Sequence, residues 1–185
     1  MACSSNILSG LTAGCTPSMG GILEVYINHR DKVGELTFGS EAQEGIITGI
    51  TLAQSGSSSV EKFHQYQFKR NTANATSTYN IDPTQGVNFV TTDLNLVFSK
   101  QDTEKRVEIT ALALDDLVVI YKDANGKYWY MGKDEPVQAT AAGGETGTAR
   151  TDGNKYTITL QDNSLNLPYE VAASAITSDI IDFNN

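Results

Sequence analysis

The sequence predicts a mainly β fold: a β-sandwich or barrel with one flanking α-helix and a long β-hairpin. The chain has 185 residues, of which 16 are glycine and 39% are hydrophobic; Thr, Ser and Asn are abundant, which favours strands and turns over helices. Alternation of apolar and polar residues recurs in many short segments, whereas apolar residues at helical spacing recur in one. A chain of this length buries a core without disulfides or a metal, so we expect a single domain spanning residues 1–185 rather than two small ones.

The N-terminal part of the chain predicts an arm followed by a core strand. Residues 1–21 are rich in Ser, Gly and Thr and show little apolar periodicity, which is typical of a loosely attached N-terminal arm. In the segment 22–28, Leu23, Val25 and Ile27 alternate with their neighbours and predict a strand with one apolar face. Two short strands are predicted at 35–38 and 46–52, and the serine-rich run 54–59 predicts a flexible loop.

The middle of the chain, residues 60–99, predicts the long β-hairpin. The segments 61–70 and 87–98 have few breakers, and each would extend over roughly 30 Å at about 3.3 Å per residue. The residues 71–78 between them are polar and small, which indicates a wide, adaptable tip. The polar sides of the two segments consist of Thr, Asn, Gln and Asp, so we expect one face of the hairpin to be packed and the other to meet water.

Residues 102–116 predict the helix. Asp102 or Thr103 can cap its N-terminus, and Glu104 follows in the first turn, where acidic side chains favour helices. Apolar residues recur at helical spacing on one predicted buried face: Val107, Ala111, Leu114 and Val118. The competing interpretation is a strand, in which Val107, Ile109, Ala111 and Ala113 alternate; the start signals and the Ala and Leu content favour the helix.

The C-terminal half contains the clearest tight hairpin. The β-branched and aromatic runs 117–121 and 127–131 are separated by residues 123–126, in which Asn125–Gly126 supplies the positive φ values of a tight hairpin. The Gly/Ala/Thr-rich segment 139–148 predicts a loop, and the alternating segment 155–160 predicts a strand. Short strands or coil are predicted at 168–171 and 180–183.

No residue pattern predicts catalysis, and we expect the protein not to be an enzyme. A Ser-His-Asp site needs a histidine beside a nucleophile, whereas His29 lies in a charged turn and His64 on a strand, with no nucleophile-elbow motif around any serine. The acidic pairs Asp115–Asp116 and Asp134–Glu135 stand at element ends, where solvated surface carboxylates are common. These residues are therefore interpreted as surface or structural groups.

The sequence also predicts no metal or cofactor site. Asp123-x-Asn125-Gly126 resembles part of a calcium loop, but the glycine is misplaced and Lys127 occupies a ligand position, so a plain hairpin turn is expected. Gly143–Gly144 lacks the strand-then-helix context and the Lys-Ser/Thr of a phosphate loop. The cysteines, Cys3 and Cys15, lack CxxC spacing and are expected to be ordinary thiols of a reducing cytosol.

Charge argues against a protein that grips nucleic acid. There are 13 basic and 22 acidic residues, a formal net charge of −9, and phosphate binding requires clustered Lys and Arg. No stretch approaches the ~20 apolar residues that span a bilayer, and the N-terminus lacks a basic region ahead of an apolar run, so we expect neither membrane insertion nor a signal peptide.

Two groups of residues resemble a known family, the small tail-structure proteins of bacteriophages that infect Bacteroidetes and related bacteria. The first group is Cys3, Ser9–Gly10, Cys15 and the run Gly20-Gly21-Ile22-Leu23-Glu24-Val25-Tyr26-Ile27. The second is the predicted helix followed by Leu117-Val118-Val119-Ile120, Asn125-Gly126-Lys127-Tyr128-Trp129, Gly132, Thr146-Gly147-Thr148 and residues 152–160. Together they cover about half of the chain.

The resemblance implies a tail-tube-like fold and the function of a bacteriophage tail tube subunit. In that family the hairpins of the subunits in a ring, usually a homohexamer, join into an inner β-barrel through which DNA passes, and arms or loops connect one ring to the next. The expected partners are copies of the chain itself and other tail proteins, with DNA moving through the lumen without specific binding. The expected location is the tail of the virion, after synthesis in the host cytoplasm.

Two other functions are open at this level. One is a different virion part, such as a head–tail connector or a capsid decoration protein. The other is a β-sandwich that binds carbohydrate through Tyr128, Trp129 and Tyr130; alternate residues of a strand share a face, so Tyr128 and Tyr130 would lie on one side and Trp129 in the core. Sedimentation separates these functions, because a binding module stays monomeric whereas a tube protein forms rings or filaments.

Overall fold

A computed structural model describes residues 17–40, 45–53 and 60–183. In this part of the chain the fold is mainly β, as predicted, with twelve strands in two sheets and a single α-helix. The strands are β1 Ile22–His29, β2 Val33–Phe38, β3 Ile46–Leu52, β4 Phe63–Gln67, β5 Ala73–Asp82, β6 Val87–Ser99, β7 Leu117–Asp123, β8 Tyr128–Met131, β9 Gln138–Glu145, β10 Lys155–Ser164, β11 Tyr169–Val171 and β12 Ile181–Asp182, and the helix is α1 Thr103–Leu114. The first sixteen residues of the predicted arm, with Cys3 and Cys15, and the predicted loop 54–59 lie outside the described residues.

The large sheet has eight strands in the order β12-β4-β1-β7-β8-β11-β3-β2. All eight place apolar side chains in one buried cluster: Tyr26, Val33, Ile47, Ile50, Phe63, Val118, Ile120, Tyr130, Val171 and Ile181. A flat sheet of eight strands would be about 35 Å wide, so its outermost strands reach one cluster only if the sheet curls around it. The large sheet is therefore a half-barrel.

The small sheet has four antiparallel strands in the order β5-β6-β10-β9. Its inner face packs against the convex side of the half-barrel, and α1 closes one side of this second core. The buried cluster between the layers includes Ala73, Leu94, Leu96, Ile158 and Leu160 from the small sheet, Val25, Ile27 and Val119 from the large sheet, and Ile109 and Leu112 from the helix. Strands β1 and β7 are thus buried on both faces, because Tyr26 and Ile120 point to the other cluster.

A long hairpin is present, but its first arm differs from the prediction. Strand β5, which lies in the predicted tip, pairs residue by residue with β6 from Ala73↔Leu96 to Asp82↔Val87. The segment 61–70 instead supplies β4, which pairs with β1 and β12 in the large sheet. The polar composition of residues 71–78 concealed the strand, since the only residues of β5 that reach the core are two alanines, Ala73 and Ala75.

The helix has the predicted start and ends at Leu114, two residues before the predicted end, and its buried face differs from the prediction. Asp102 is the N-cap, and its carboxylate accepts a hydrogen bond from the Lys105 N–H at 2.9 Å. The side chains that reach the core are Ile109 and Leu112, whereas Val107, Ala111 and Leu114 are exposed and Val118 belongs to β7. Helical spacing predicted the helix correctly. Two sets of apolar residues on it have that spacing, and the set chosen from the sequence is not the one that is buried.

Strand β1 breaks the predicted alternation at its start. The pairing of β1 with β7 shifts register between Ile22 and Glu24, and a bulge of this kind reverses the side on which the following residues point. As a result Ile22 joins Val25 and Ile27 in the core, and Leu23, predicted to be buried, is 45% exposed.

The hairpin at Asn125–Gly126 is confirmed, although of these two residues only Gly126 takes a positive φ, and the predicted loop 139–148 is wrong. Gly126 takes φ +83 in the turn between β7 and β8, and the Asp123 carboxylate caps the turn by accepting the N–H groups of Asn125 and Lys127 at 2.8 and 3.0 Å. Most of 139–148 forms β9, whose side chains are nearly all exposed. A strand with no buried alternate positions has no hydrophobic period, so the composition indicated a loop.

Candidate assembly surface

The outer face of the small sheet is lined mostly by polar, uncharged side chains, and its apolar members on β6 are Val87, Phe89 and Val97. It alternates with the inner, core-facing residues along each strand, as expected for an antiparallel sheet with one solvated side. We call this the polar face, and its members on the three adjoining strands β5, β6 and β10 are Asn74, Thr76, Thr78, Asn80, Thr91, Asp93, Asn95, Thr157, Thr159, Gln161 and Asn163. Of the polar side predicted for the hairpin, the part on 87–98 is therefore present, whereas the part on 61–70 lies in the large sheet.

Side-chain hydrogen bonds connect neighbouring strands across the polar face. The Thr159 hydroxyl donates to Asn95 Oδ1 at 2.8 Å. Two residues further along β10, the Gln161 amide donates to Asp93 Oδ1, also at 2.8 Å. The Thr91 hydroxyl donates to Asn163 Oδ1 at 3.1 Å and accepts from the Asn80 amide at 2.8 Å. Cross-strand pairs of this kind stabilise a sheet, so the polar groups of this face are largely occupied with one another.

The polar face carries few charged side chains. Asp93 lies in the middle of the polar face and Asp82 at the end of β5, and Lys155 at the far end is paired with Glu145 at 2.8 Å between its Nζ and Oε1 atoms. The described part of the polar face thus has no cluster of basic side chains, which phosphate binding would require.

Both edges of the small sheet are open in the described chain. Strand β5 has ten residues, a register with β6 that is free of shifts, and one charged residue, Asp82, at its end. Strand β9 at the other edge has eight residues, one irregularity opposite Thr159 and Leu160, and Glu145 at its end. Monomeric proteins block such edges with Lys, Pro, bulges or covering segments, and β5 carries none of these devices in its own sequence.

A buried carboxylate, Asp162, stands out among the residues that sequence analysis did not select. It follows Ile158 and Leu160 on the inner side of β10 and is 3% exposed. Burial raises the pKa of Asp162 to about 6; the Gly132 N–H, which donates to the carboxylate, opposes this shift, and the nearby charges of Asp134 and Glu135 add to it. The period-two alternation of β10 is the signal that would have placed Asp162 inside.

The Tyr130 hydroxyl shares the surroundings of Asp162. Among the described residues, neither this hydroxyl nor Asp162 Oδ1 has a hydrogen-bond partner, although both atoms are buried. Burial raises the pKa of Tyr130 to about 12. A buried polar atom without a hydrogen bond costs free energy of folding.

The histidines selected from the sequence lie near one another without a nucleophile. His29 and His64 line a cavity of about 190 Å³ together with Glu108 and Asp115, and none of its lining residues is a serine, threonine or cysteine. His29 Nδ1 lies 3.6 Å from an Asp115 carboxylate oxygen.

Members of both acidic pairs accept hydrogen bonds from neighbouring residues. Asp116 accepts a hydrogen bond from the Gln138 amide at 2.7 Å. The Leu165 N–H donates to Asp134 at 3.0 Å and, with Lys133, holds the pKa of that carboxyl below its usual range. Glu135 borders a surface cavity beside Asp134.

The three consecutive aromatic residues of β8 do not form one surface. Tyr128 and Tyr130 belong to the half-barrel cluster, and Tyr130 is fully buried. Trp129 packs against the other core, and its indole N–H donates to Asp123 Oδ2 at 3.1 Å. The predicted division of these side chains between two faces is confirmed.

Comparison of the chain with protein-family models, with curated proteins and with solved structures finds no match in any of the three. In the described ranges no group of three or more His, Cys, Asp or Glu side chains has the arrangement to hold a metal ion. None of the helices found there is long and apolar enough to cross a lipid bilayer.

Proposed function

We propose that the chain is a self-assembling structural subunit whose small sheet joins those of its neighbours to form the wall of a tube, and that this tube is the tail tube of a bacteriophage. The observation that carries the proposal is the pair of open edges, β5 and β9, on opposite sides of a four-stranded sheet with a polar outer face. The resemblance of the sequence to phage tail-structure proteins supplies the biological setting.

The directions of the edge strands suit ring formation. Because the sheet is antiparallel throughout and has four strands, β5 and β9 run in opposite directions. In a ring whose axis follows the strands, β5 of one subunit meets β9 of the next in antiparallel orientation. The alternation of the sheet then continues from subunit to subunit, and a closed ring leaves no free edge.

The proposed ring places the polar face towards the lumen and the half-barrel outside. By the resemblance the ring has six subunits, which would give a barrel of about 24 strands, wide enough to enclose an aqueous channel. Rings would then stack on one another and contact other tail proteins, in the virion tail.

The charge of the chain suits a conduit for DNA. The net charge of −9 per subunit repels phosphates, and the polar face presents hydroxyl and amide groups rather than a basic patch. Weak contact of this kind lets a polyanion move through the lumen, whereas tight phosphate binding would hold it in place.

A pair of charge-matched variants tests the proposal. Thr78→Lys puts a lysine on the open edge strand β5, and Thr157→Lys puts one on the interior strand β10 of the same polar face. Lysine on an edge strand disfavours strand addition, so we expect Thr78→Lys to remain monomeric in analytical ultracentrifugation while Thr157→Lys and the unmodified chain assemble. Equal assembly of both variants would contradict edge pairing.

A further inference from the structure

Helix α1 exposes an apolar stripe. Val107 and Leu114 are 55% and 81% exposed, and Ala111 between them is also exposed. Residues at these spacings lie on one side of a helix, so the three side chains form a continuous surface, which we call the helix stripe. Exposed large aliphatic side chains grouped in this way are typical of an interaction surface.

The helix stripe points away from the protein's own core. The core-facing side chains Ile109 and Leu112 lie on the opposite side of α1. The helix packs against β9 and β10, beside the β9 edge of the small sheet. The described chain therefore leaves most of the stripe uncovered, on a helix that lies next to the open strand β9.

A second exposed apolar pair lies at the opposite edge of the same sheet. Tyr79 and Ile81 are 48% and 66% exposed and follow the buried Ala73 at alternate positions of β5. They therefore point to the inner side of the sheet, the side on which α1 lies. In register they are opposite Val90 and Asn88 of β6, beyond the part of the hairpin that the chain's own core covers.

We propose that the helix stripe of one subunit packs on Tyr79 and Ile81 of a second copy, as an apolar layer behind the paired edges. This inference rests on the proposed ring. When β5 of a neighbour continues the sheet next to β9, the inner side of that β5 comes to lie beside α1. A rotational ring needs two different complementary surfaces on each subunit, and the stripe and the β5 pair occupy the two opposite edges.

Two matched variants test the contribution of the stripe to assembly. Leu114→Glu places a charge in the stripe, and the control Leu165→Glu places one on an exposed leucine (67%) in the loop after β10. Burial of a leucine side chain is worth enough that its loss weakens association about tenfold or more. We expect the concentration needed for ring formation to rise by that factor for Leu114→Glu and to stay unchanged for Leu165→Glu.

Cross-linking tests the contact itself. Leu114→Cys and Ile81→Cys are prepared separately in a chain that carries Cys3→Ser and Cys15→Ser, then mixed and treated with a short bismaleimide. We expect a cross-linked heterodimer from the mixture and little dimer from either variant alone. Rings that form without this cross-link, or that Leu114→Glu leaves intact, would overturn the helix contact and leave edge pairing standing. A chain that stays monomeric at high concentration would overturn both proposals.

Discussion

Asp162 is a single residue whose burial makes the stability of the fold depend on pH. Its carboxylate sits on the apolar side of β10 and receives the Gly132 N–H, while its Oδ1 atom stays unsatisfied among the described residues. The pKa in the folded protein, about 6, lies above the ordinary value of 3.8. Ionisation therefore opposes folding, and the cost develops as the pH rises from about 4 through 6.

We predict that Asp162→Asn stabilises the protein at neutral pH, because it removes a buried charge and keeps an oxygen for the Gly132 N–H. A pKa difference of about two units corresponds to roughly 3 kcal/mol of unfolding free energy at pH 8, with no gain from this source at pH 3.5. Urea unfolding at the two pH values measures the difference. The control Asp93→Asn removes a carboxylate from the polar face of the same sheet, and a gain equal to that of Asp162→Asn would contradict the prediction.

At the scale of single elements, what the sequence predicted depended on how the element is buried. Strands with apolar residues at buried positions were predicted close to their bounds, among them β1, β3, β6 and β7, while β10 was predicted at its start but extends four residues beyond the predicted end. The two edge strands of the small sheet were not: β5 was interpreted as a hairpin tip and β9 as a loop, because Thr, Asn, Ala and Gly carry little hydrophobic period. Their strand conformation comes from long-range pairing with β6 and β10, which local patterns do not encode.

Only part of the candidate assembly surface could likewise be predicted from the sequence. The polar side of β6 was visible as alternation in the sequence, but the open edges depend on strand order and required the structure. The helix illustrates the ambiguity of periodicity: Val107, Ala111 and Leu114 have the spacing of a buried face, and so do Ile109 and Leu112. The fold packs Ile109 and Leu112 against the core and leaves the other three side chains exposed.

The helix therefore offers an internal comparison for stability. We predict that Leu112→Ala lowers the unfolding free energy by about 2–4 kcal/mol, since it empties a buried site, while Leu114→Ala changes it by less than about 0.5 kcal/mol. Both are measured by chemical denaturation at concentrations too low for assembly. Equal losses from the two variants would mean that Leu114 packs within its own chain.

For the whole molecule, charge and surface chemistry together predict weak interaction with DNA. The net charge is −9, and the described part of the polar face has no basic cluster. We expect no measurable binding of duplex DNA at physiological salt by fluorescence anisotropy, both for the monomer and for the assembled form. Salt-sensitive binding at micromolar or lower concentration would indicate a nucleic-acid-binding protein instead of a conduit.

The central claim is that two open edges of one small sheet close on each other between copies of the chain. Negative-stain electron microscopy of the purified, unmodified protein across a concentration series tests it most directly. The account predicts rings or tubes with a central channel that become more abundant as the concentration rises. A protein that remains a single compact particle at the highest concentration, with monomer mass by light scattering, would contradict it.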